Sequence, residues 1–484
     1  MLTWEFPPRI IGGISSHVYG LSQALANRGI EVHVVTCDFP ETPSYEIVGG
    51  VHVYRFDSYK IPAPNFLSWV FLMNKNMTKR AVEIIEAHNE QIDLVHAHDW
   101  LVANAAIDLK RLYGKPLIST IHSTEQGRRG GICNDYQRTI HSVEVQLVHE
   151  SSKVICCSEY MAKQVVDTFS LPKEKIVVVR NGVDVSEFNV KTDLSSFRRR
   201  YAKPEEKIIL YVGRLVYEKG VHVLIGGIPK VLAEIPNVKL VIVGEGGMRE
   251  ELLKEAWDFG IAHKVLFTGF VDKKTLISLY KVSDVAVVPS LYEPFGITAL
   301  EAMAAQVPVV VSDTGGLAEI VEHDKTGVKI YPDNSDSVAW GILRVLKDSA
   351  YRNKLRRNAY MKLLSDYSWN KIAEQTAKIY HEALQSVQTK PAVKLKHPVV
   401  FGVFAKYSEE FQVLLLLFTL GAIRREYAKT AKELADILGI KVSHARFLLQ
   451  KLQKAGYVAC FEDNSSAKYY LTKLGIIKAN TLFS

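Results

Sequence analysis

The sequence predicts an α/β fold in which two doubly wound domains, each a parallel sheet covered by helices, are followed by a small third domain. Three observations carry this. Short, continuous apolar stretches rich in β-branched residues alternate with helical stretches twice along the chain, and such strands belong to parallel sheets buried on both faces. A polar, charged stretch at about 191–207 separates the two alternations and reads as a hinge. Beyond TKPAVKLKHP (389–398), a linker with two prolines and no periodicity, the composition turns basic. At 484 residues the chain is also too long for one ordinary core.

The bulk composition, 48% hydrophobic and 23% charged, fits a soluble globular protein. The longest apolar run, 411–423, is broken by Gln412 and Thr419 and is too short to span a bilayer, so a buried helix is expected there. No basic segment followed by an apolar core opens the chain, and five cysteines without a Cys-x-x-Cys pair point to a reduced cytoplasm. The formal charge of +8 is unevenly placed: residues 391–484 hold 14 Lys and Arg against 7 Asp and Glu, residues 1–390 hold 46 against 45.

Taken in order, residues 2–5 read as a shortened first strand, which leaves open a start upstream of Met1. IIGGISSHVYGLSQALANRG follows, with Gly12-Gly13 as a turn opening a helix that Gly29 closes. Strands are expected at VHVVT (32–36), VHVYRF (51–56), DLVHA (93–97), PLISTIH (116–122), KVICCS (153–158) and KIVVVRNG (175–182). Ligands bind outside the carboxyl ends of such strands, which singles out HAHDW (96–100) and TIHSTEQGRRGG (120–131). In the latter, Arg128 and Arg129 among three glycines form a cationic loop, for an anion or simply solvated. The triple Arg198-Arg199-Arg200 reads as a solvated helix face.

The second alternation comprises KIILYVG, KLVIVGEG, VLFTGF, VAVVPS and PVVVSD. Arg214 and Lys219 lie on the loop after its first strand, an Arg fork and a Lys point charge suited to phosphate oxygens. The stretch VVPSLYEPFGITALEAMAA (287–305) ends a strand, turns at Pro-Phe-Gly and enters a helix. Glu293 falls in the turn and Glu301 in the helix. Gly296 admits close backbone approach, and the free N–H groups from Ile297 onward offer an anion site. GEGGMREEL (244–252) and TGGLAEIV (314–321) add two further loop-to-helix turns.

EPFGITALEA resembles the Glu-x7-Glu signature of the retaining GT-B glycosyltransferases of the glycogen synthase-like, archaeal-like type, and GRLVYEKG about eighty residues earlier strengthens the match. The resemblance covers about residues 1–388. It implies a GT-B fold: two facing Rossmann-like doubly wound domains at 1–190 and 205–366, with a helix at 367–388 crossing back to the first. It implies that Glu293 lies against the transferred sugar, that Glu301 holds the nucleotide ribose, and that Arg214 and Lys219 clamp the donor diphosphate. By the same resemblance Gly12 and Gly13 face the donor, residues 269–271 meet the base, Asp99 contacts sugar and His122 touches the reacting hexose. The chain departs from the bacterial-type synthases at Ile10, where they carry a lysine. The family needs no metal or cofactor, and no Asp-x-Asp occurs here.

After the linker (389–399), residues 400–484 resemble a winged helix-turn-helix domain. Thr430 is expected to cap one helix, Gly439 to stop it and Ser443 to cap the next, with a hairpin over 457–471 turning at Asn464-Ser465-Ser466. The basic balance suggests DNA binding through Lys441, His444, Arg446, Lys451 and Lys468, and a protein-interaction module stands beside it. The activity expected is transfer of glucose from ADP- or UDP-glucose to an α-glucan. Transfer to a small, phosphorylated or lipid-linked acceptor is the alternative within the fold, and a sugar-nucleotide-sensing DNA-binding regulator the alternative outside it.

Overall fold

The computed structural model describes residues 1–387 and 408–478, apart from 59–60, 90, 190–192, 421, 423–424, 426–427, 439, 464–465, 473 and 476–477. The linker at 389–399, part of the hinge, Gly439 and the turn residues Asn464 and Ser465 thus lie outside the described residues.

The first domain holds β1 (His33–Cys37), β2 (Tyr45–Val48), β3 (Val51–Phe56), β4 (Val95–His98), β5 (Leu117–Ile121), β6 (Lys153–Cys156) and β7 (Ile176–Val178). Their order is β2-β3-β1 and β4-β5-β6-β7, and Leu2 joins the two groups by bridging Val35 and Ala97 in parallel. The sheet is not wholly parallel as expected. β2 runs antiparallel to β3 across a turn at Gly49 and Gly50, both at positive φ (57° and 82°), a tight hairpin that suits glycine. Its alternating exposed and half-buried residues made it invisible to a search for apolar runs.

The second domain holds β8 (Lys207–Val212), β9 (Val238–Val243), β10 (Val265–Gly269), β11 (Val285–Val288), β12 (Val309–Ser312) and the unforeseen three-residue β13 (Val328–Ile330). All pair in parallel in the order β10-β9-β8-β11-β12-β13. Connections leave in opposite directions from β8 and β11, so a crevice opens at their carboxyl ends.

The helix Trp369–Val387 packs on the helix Gly13–Ala26 of the first domain. Its Ile372, Ala373, Ile379, Tyr380 and Ala383 share one buried cluster with Val18, Leu21, Leu25, Val34 and Val53. Trp369 lies against Gly20 and Gly182, where a Cβ would come within 2.2 and 2.7 Å of its ring. Tyr380 Oη meets His96 Nδ1 at 2.7 Å, and Thr120 Oγ1 meets the other ring nitrogen at 2.8 Å.

Two basic stretches differ from expectation. The Gln126–Arg129 stretch is a short helix (Glu125–Arg129), and Arg128 turns inward to Glu125 at 2.9 Å, with Glu144 3.6 Å away, so it is a neutralised cation. Arg198 is not solvated: it binds Asp284 at 2.9 Å and the carbonyls of Glu206 and Val282, pinning the edge of the second domain.

In the last segment the helix Glu409–Thr419, β14 (Lys429–Thr430), the helices Ala431–Leu438 and Val442–Lys454, β15 (Val458–Asp463) and β16 (Ser466–Leu471) enclose their own core. The strands form an antiparallel sheet ordered β14-β16-β15. Thr430 and Glu433 form a reciprocal capping box, Thr430 Oγ1 accepting from Glu433 N–H and Glu433 Oε2 accepting from Thr430 N–H. Ser443 does not cap: the next helix starts one residue earlier, at Val442, leaving Ser443 exposed inside the first turn. The five cysteines are free, and among the described residues no helix is long and apolar enough to cross a membrane.

Candidate active site

Three loops of the second domain are drawn together at the crevice. After β8 the chain turns through Tyr217–Lys219 and leaves by Gly220 at φ 64°, where a Cβ would stand 2.1 Å from the Pro289 carbonyl oxygen. The Glu218 carbonyl accepts from Leu291 N–H and Tyr292 N–H at 2.9 and 3.2 Å, zipping this loop to the one after β11. The third loop, after β12, presses Gly315 against the Glu293 carbonyl, 2.0 Å from any Cβ, and Gly316 N–H donates to that carbonyl at 2.9 Å. Side chains at 220, 315 or 316 would push these loops apart.

This zipping sets the central pair. Lys219 Nζ donates to Glu293 Oε2 at 2.7 Å, and Ser290 Oγ donates to the same oxygen at 3.0 Å. Both side chains are mostly buried, at 19% and 11% exposure, so the surrounding protein screens the pair less than water would. Arg214 stands on the same loop, half exposed, with Glu218 3.4 Å away. The buried Tyr211 hydroxyl donates to the Arg214 carbonyl at 2.9 Å. Burial pushes the Tyr211 pKa up and Glu293 pushes it further.

Gly296, at φ 113°, opens the helix Ile297–Ala304. Across the crevice, Gly13 of the first domain lies against Ile297: a Cβ there would meet Ile297 Cδ1 at 2.9 Å. Gly12, Gly13, Gly296 and Ile297 are therefore neighbours. Glu5, which sequence reasoning passed over, holds the first of these loops: its Oε2 accepts from Ile11 N–H at 2.6 Å and Gly12 N–H at 2.9 Å. Gly12 N–H is thus already engaged by Glu5. Burial raises the Glu5 pKa against the pull of these N–H groups. The only signal was an acid inside an otherwise apolar opening strand.

Glu301 lies one turn into its helix and accepts from the buried Tyr280 hydroxyl at 2.9 Å. Burial pushes its carboxyl up to about 7, while Tyr280 and Lys273 oppose the rise. Asp99, 4% exposed and at φ 65°, accepts from His122 N–H at 3.0 Å, so its carboxylate fixes the loop that presents His122. Burial raises the Asp99 pKa to about 6, with Arg128 opposing. Half-buried His122 brings Nε2 to 3.3 Å from His98 Nδ1, and its ring lies 4.8 Å from that of His17. Burial drives the pKa values of all three imidazoles down, that of His17 to about 4, so they are neutral at pH 7.

The tail residues lie apart from this crevice. His444 meets Glu409 at 2.9 Å, Lys451 meets Glu410 at 2.8 Å and Lys468 meets Asp463 at 2.6 Å. Lys441 and Arg446 are exposed beside the 52% exposed Phe447. The basic excess is thus partly neutralised within its own module, although such surface pairs contribute only about 0–1 kcal/mol each.

Two Rossmann-like domains facing across a crevice, with Lys219 and Glu293 paired on the second, are the architecture of a GT-B glycosyltransferase. The comparisons agree. Residues 195–362 match the family described as Glycosyl transferases group 1, and residues 11–187 match Glycosyltransferase Family 4. The chain is 43% identical over 389 residues to an uncharacterized glycosyltransferase of Methanocaldococcus jannaschii, covering 80% of this chain and 98% of that one. It is 37% identical over 393 residues to the glycogen synthase of Mycobacterium tuberculosis, covering 78% and 93%. A sucrose-phosphate synthase from Thermosynechococcus elongatus shares the fold at TM-score 0.69 and 23% identity, covering 80% of this chain and 98% of that one. The chain belongs to the group 1 glycosyltransferases. Residues beyond 362, including the whole basic module, lie outside both family matches.

Proposed function

We propose that this protein is a glycogen synthase-like hexosyltransferase that moves glucose from ADP- or UDP-glucose to the end of an α-glucan, with retention and without a metal or cofactor, in the cytoplasm. The observation that carries the reading is the Lys219–Glu293 pair, held at 2.7 Å by three interlocked loops at the reversal point of the second sheet. The kinship with a named glycogen synthase directs the choice of donor and acceptor.

In this mechanism charge grows on the leaving diphosphate. Lys219 and Arg214 meet that charge, and N–H groups from Ile297 onward add to them. Each fixed cation or donor is worth about 2–4 kcal/mol in a crevice closed to water. Moving Lys219 toward the phosphates frees Glu293 to lie against the hexose, while Glu301 takes the ribose hydroxyls. His122, neutral and held by Asp99, offers a hydrogen bond to the hexose. Contact of Gly13 with Ile297 shuts the crevice and keeps water from the activated sugar.

Incubation with each nucleotide sugar, with and without glycogen, tests this by release of free nucleoside diphosphate. Glycogen-dependent release is expected, and release indifferent to glycogen argues for the small or lipid-linked acceptor. For residues 400–484 we propose a winged-helix module contacting DNA through Lys441 and Arg446, both exposed. A mobility shift that weakens steeply between two salt concentrations is expected. Absence of any shift in dilute buffer points instead to a protein partner.

A further inference from the structure

Beneath the crevice lie His17, His98 and His122, of which His17 and His98 leave buried ring nitrogens without a partner in good hydrogen-bond geometry. His96 is a contrast: buried, with both ring nitrogens partnered by Tyr380 and Thr120. His17 is 2% exposed, and neither of its ring nitrogens meets a partner in good hydrogen-bond geometry; its polar neighbour is the Asn181 side chain, whose weaker contact opposes the lowering of its pKa by burial. His98 is fully buried with Nε2 unpartnered, and its other nitrogen meets His122 at 3.3 Å. One ring nitrogen from each of His17, His98 and His122 lies within 4.8 Å of the other two.

We infer that His17, His98 and His122 form a binding site for a borderline divalent transition metal such as Zn²⁺, and that its occupation inhibits transfer. Ligand nitrogens about 2.05 Å from a tetrahedral zinc stand about 3.3 Å apart. His98 and His122 already meet that spacing at 3.3 Å, and His17, within 4.8 Å of both, has to close by up to about 1.5 Å. Three imidazoles select zinc, cobalt, nickel or copper over the hard, oxygen-seeking magnesium and calcium. His122, the one half-buried member, gives the ion its way in. An ion there consumes the nitrogen that His122 offers the hexose. The inhibition rests on the proposed function; the metal site itself does not.

The test uses the full chain with His88→Ala, which removes the one other metal-capable group among the described residues, Glu31 with His33 and His88 at the surface. Titration with Co²⁺ is expected to give one equivalent with the intense visible absorption of a four-coordinate ion. His17→Ala is expected to abolish that band and to weaken Zn²⁺ binding at least about tenfold, with far-ultraviolet circular dichroism unchanged. Should His17→Ala not fold, His17→Gln replaces it, and X-ray absorption of the zinc-loaded parent counts the imidazoles. Absence of a band, its survival in the His17 variants, or fewer than three imidazoles overturns the site. Zn²⁺ should stop nucleotide release and a chelator restore it. A bound ion that leaves transfer untouched refutes the inhibition while upholding the site. A chain without transferase activity defeats the proposed function, and the cobalt band still decides the metal.

Discussion

Replacing Lys219 by methionine separates a chemical role from a packing one. The side chains are similar in length, so the loop keeps its filling while the ammonium is lost. Glu293, 11% exposed, then keeps only the Ser290 hydroxyl at 3.0 Å. Leaving a buried charged acceptor short of its partner costs about 1–3 kcal/mol of stability, a drop in unfolding free energy that denaturant titration resolves. Loss of a fixed cation at the diphosphate removes about 2–4 kcal/mol from the transition state, or about 30- to 1000-fold in kcat/KM. Glu293→Gln is expected to lose at least about a hundredfold in kcat with donor binding little changed. In unfolding free energy the double variant should fall short of the summed losses, because each change breaks the same 2.7 Å contact of the resting protein. The assay is nucleoside diphosphate release with glycogen present, beside urea unfolding. If Lys219→Met keeps kcat/KM within about threefold while its stability falls as stated, the pair is structural and the mechanism is refuted.

Gly315→Ala should cut activity at least about tenfold with the fold retained, since its Cβ would stand 2.0 Å from the Glu293 carbonyl at φ 51°; unchanged turnover counts against the interlocked loops. Gly20→Val, driven into Trp369, should destabilise by about 1–3 kcal/mol and lower the Tm, as seen by calorimetry. Glu301 has a folded pKa near 7 against an ordinary 4.5, so the folded state holds its proton more tightly. Its ionisation therefore opposes folding, and its contribution declines as pH rises from about 4.5 to about 7. Glu301→Gln should accordingly gain stability on the parent between pH 5 and pH 8, by less than about 3 kcal/mol; urea midpoints at the two values check the sign.

The alternation of apolar strands and helices made both large sheets legible in the sequence, because parallel strands buried on two faces leave unbroken apolar runs. β2 and β13 escaped, one polar and half exposed, the other three residues long. Glu293, Lys219, Gly296 and Ile297 were legible through motif resemblance, and the structure brings them to one crevice floor. What stayed hidden was the support. Glu5 and the carbonyl of Glu218 act through the main chain and Tyr280 through a residue of another element, for which spacing gives no sign, and Ser290, three residues from Glu293, shows its role only in the folded turn. Arg128 misled for the same reason. Its charge was visible, but the helical turn that brings Glu125, three residues earlier, to 2.9 Å, with Glu144 at 3.6 Å behind it, was not.

The loop bearing Glu293 is also held from the first domain, which ties the chemistry to closure. Ser158 Oγ donates to the Pro294 carbonyl at 2.6 Å, and the Tyr292 hydroxyl donates to Gln164 Oε1 at 2.9 Å. Glu319 accepts from Glu159 N–H and Tyr160 N–H at 3.1 and 2.8 Å, capping a helix of the opposite domain where a negative charge is favoured. Each contact grips the residues flanking Glu293 or the helix behind them, and none survives separation of the domains. Opening to exchange nucleotide therefore strips external support from the EPFG turn, leaving the internal zipper of Gly220, Gly315 and Gly316 to keep its shape. On this argument closure does more than exclude water: it completes the turn that aims Glu293, so hydrolysis and transfer both fall when the domains part. Ser158→Ala, far from the diphosphate, should then lower kcat while leaving nucleotide affinity unchanged, and a loss confined to affinity would break the link between closure and the turn.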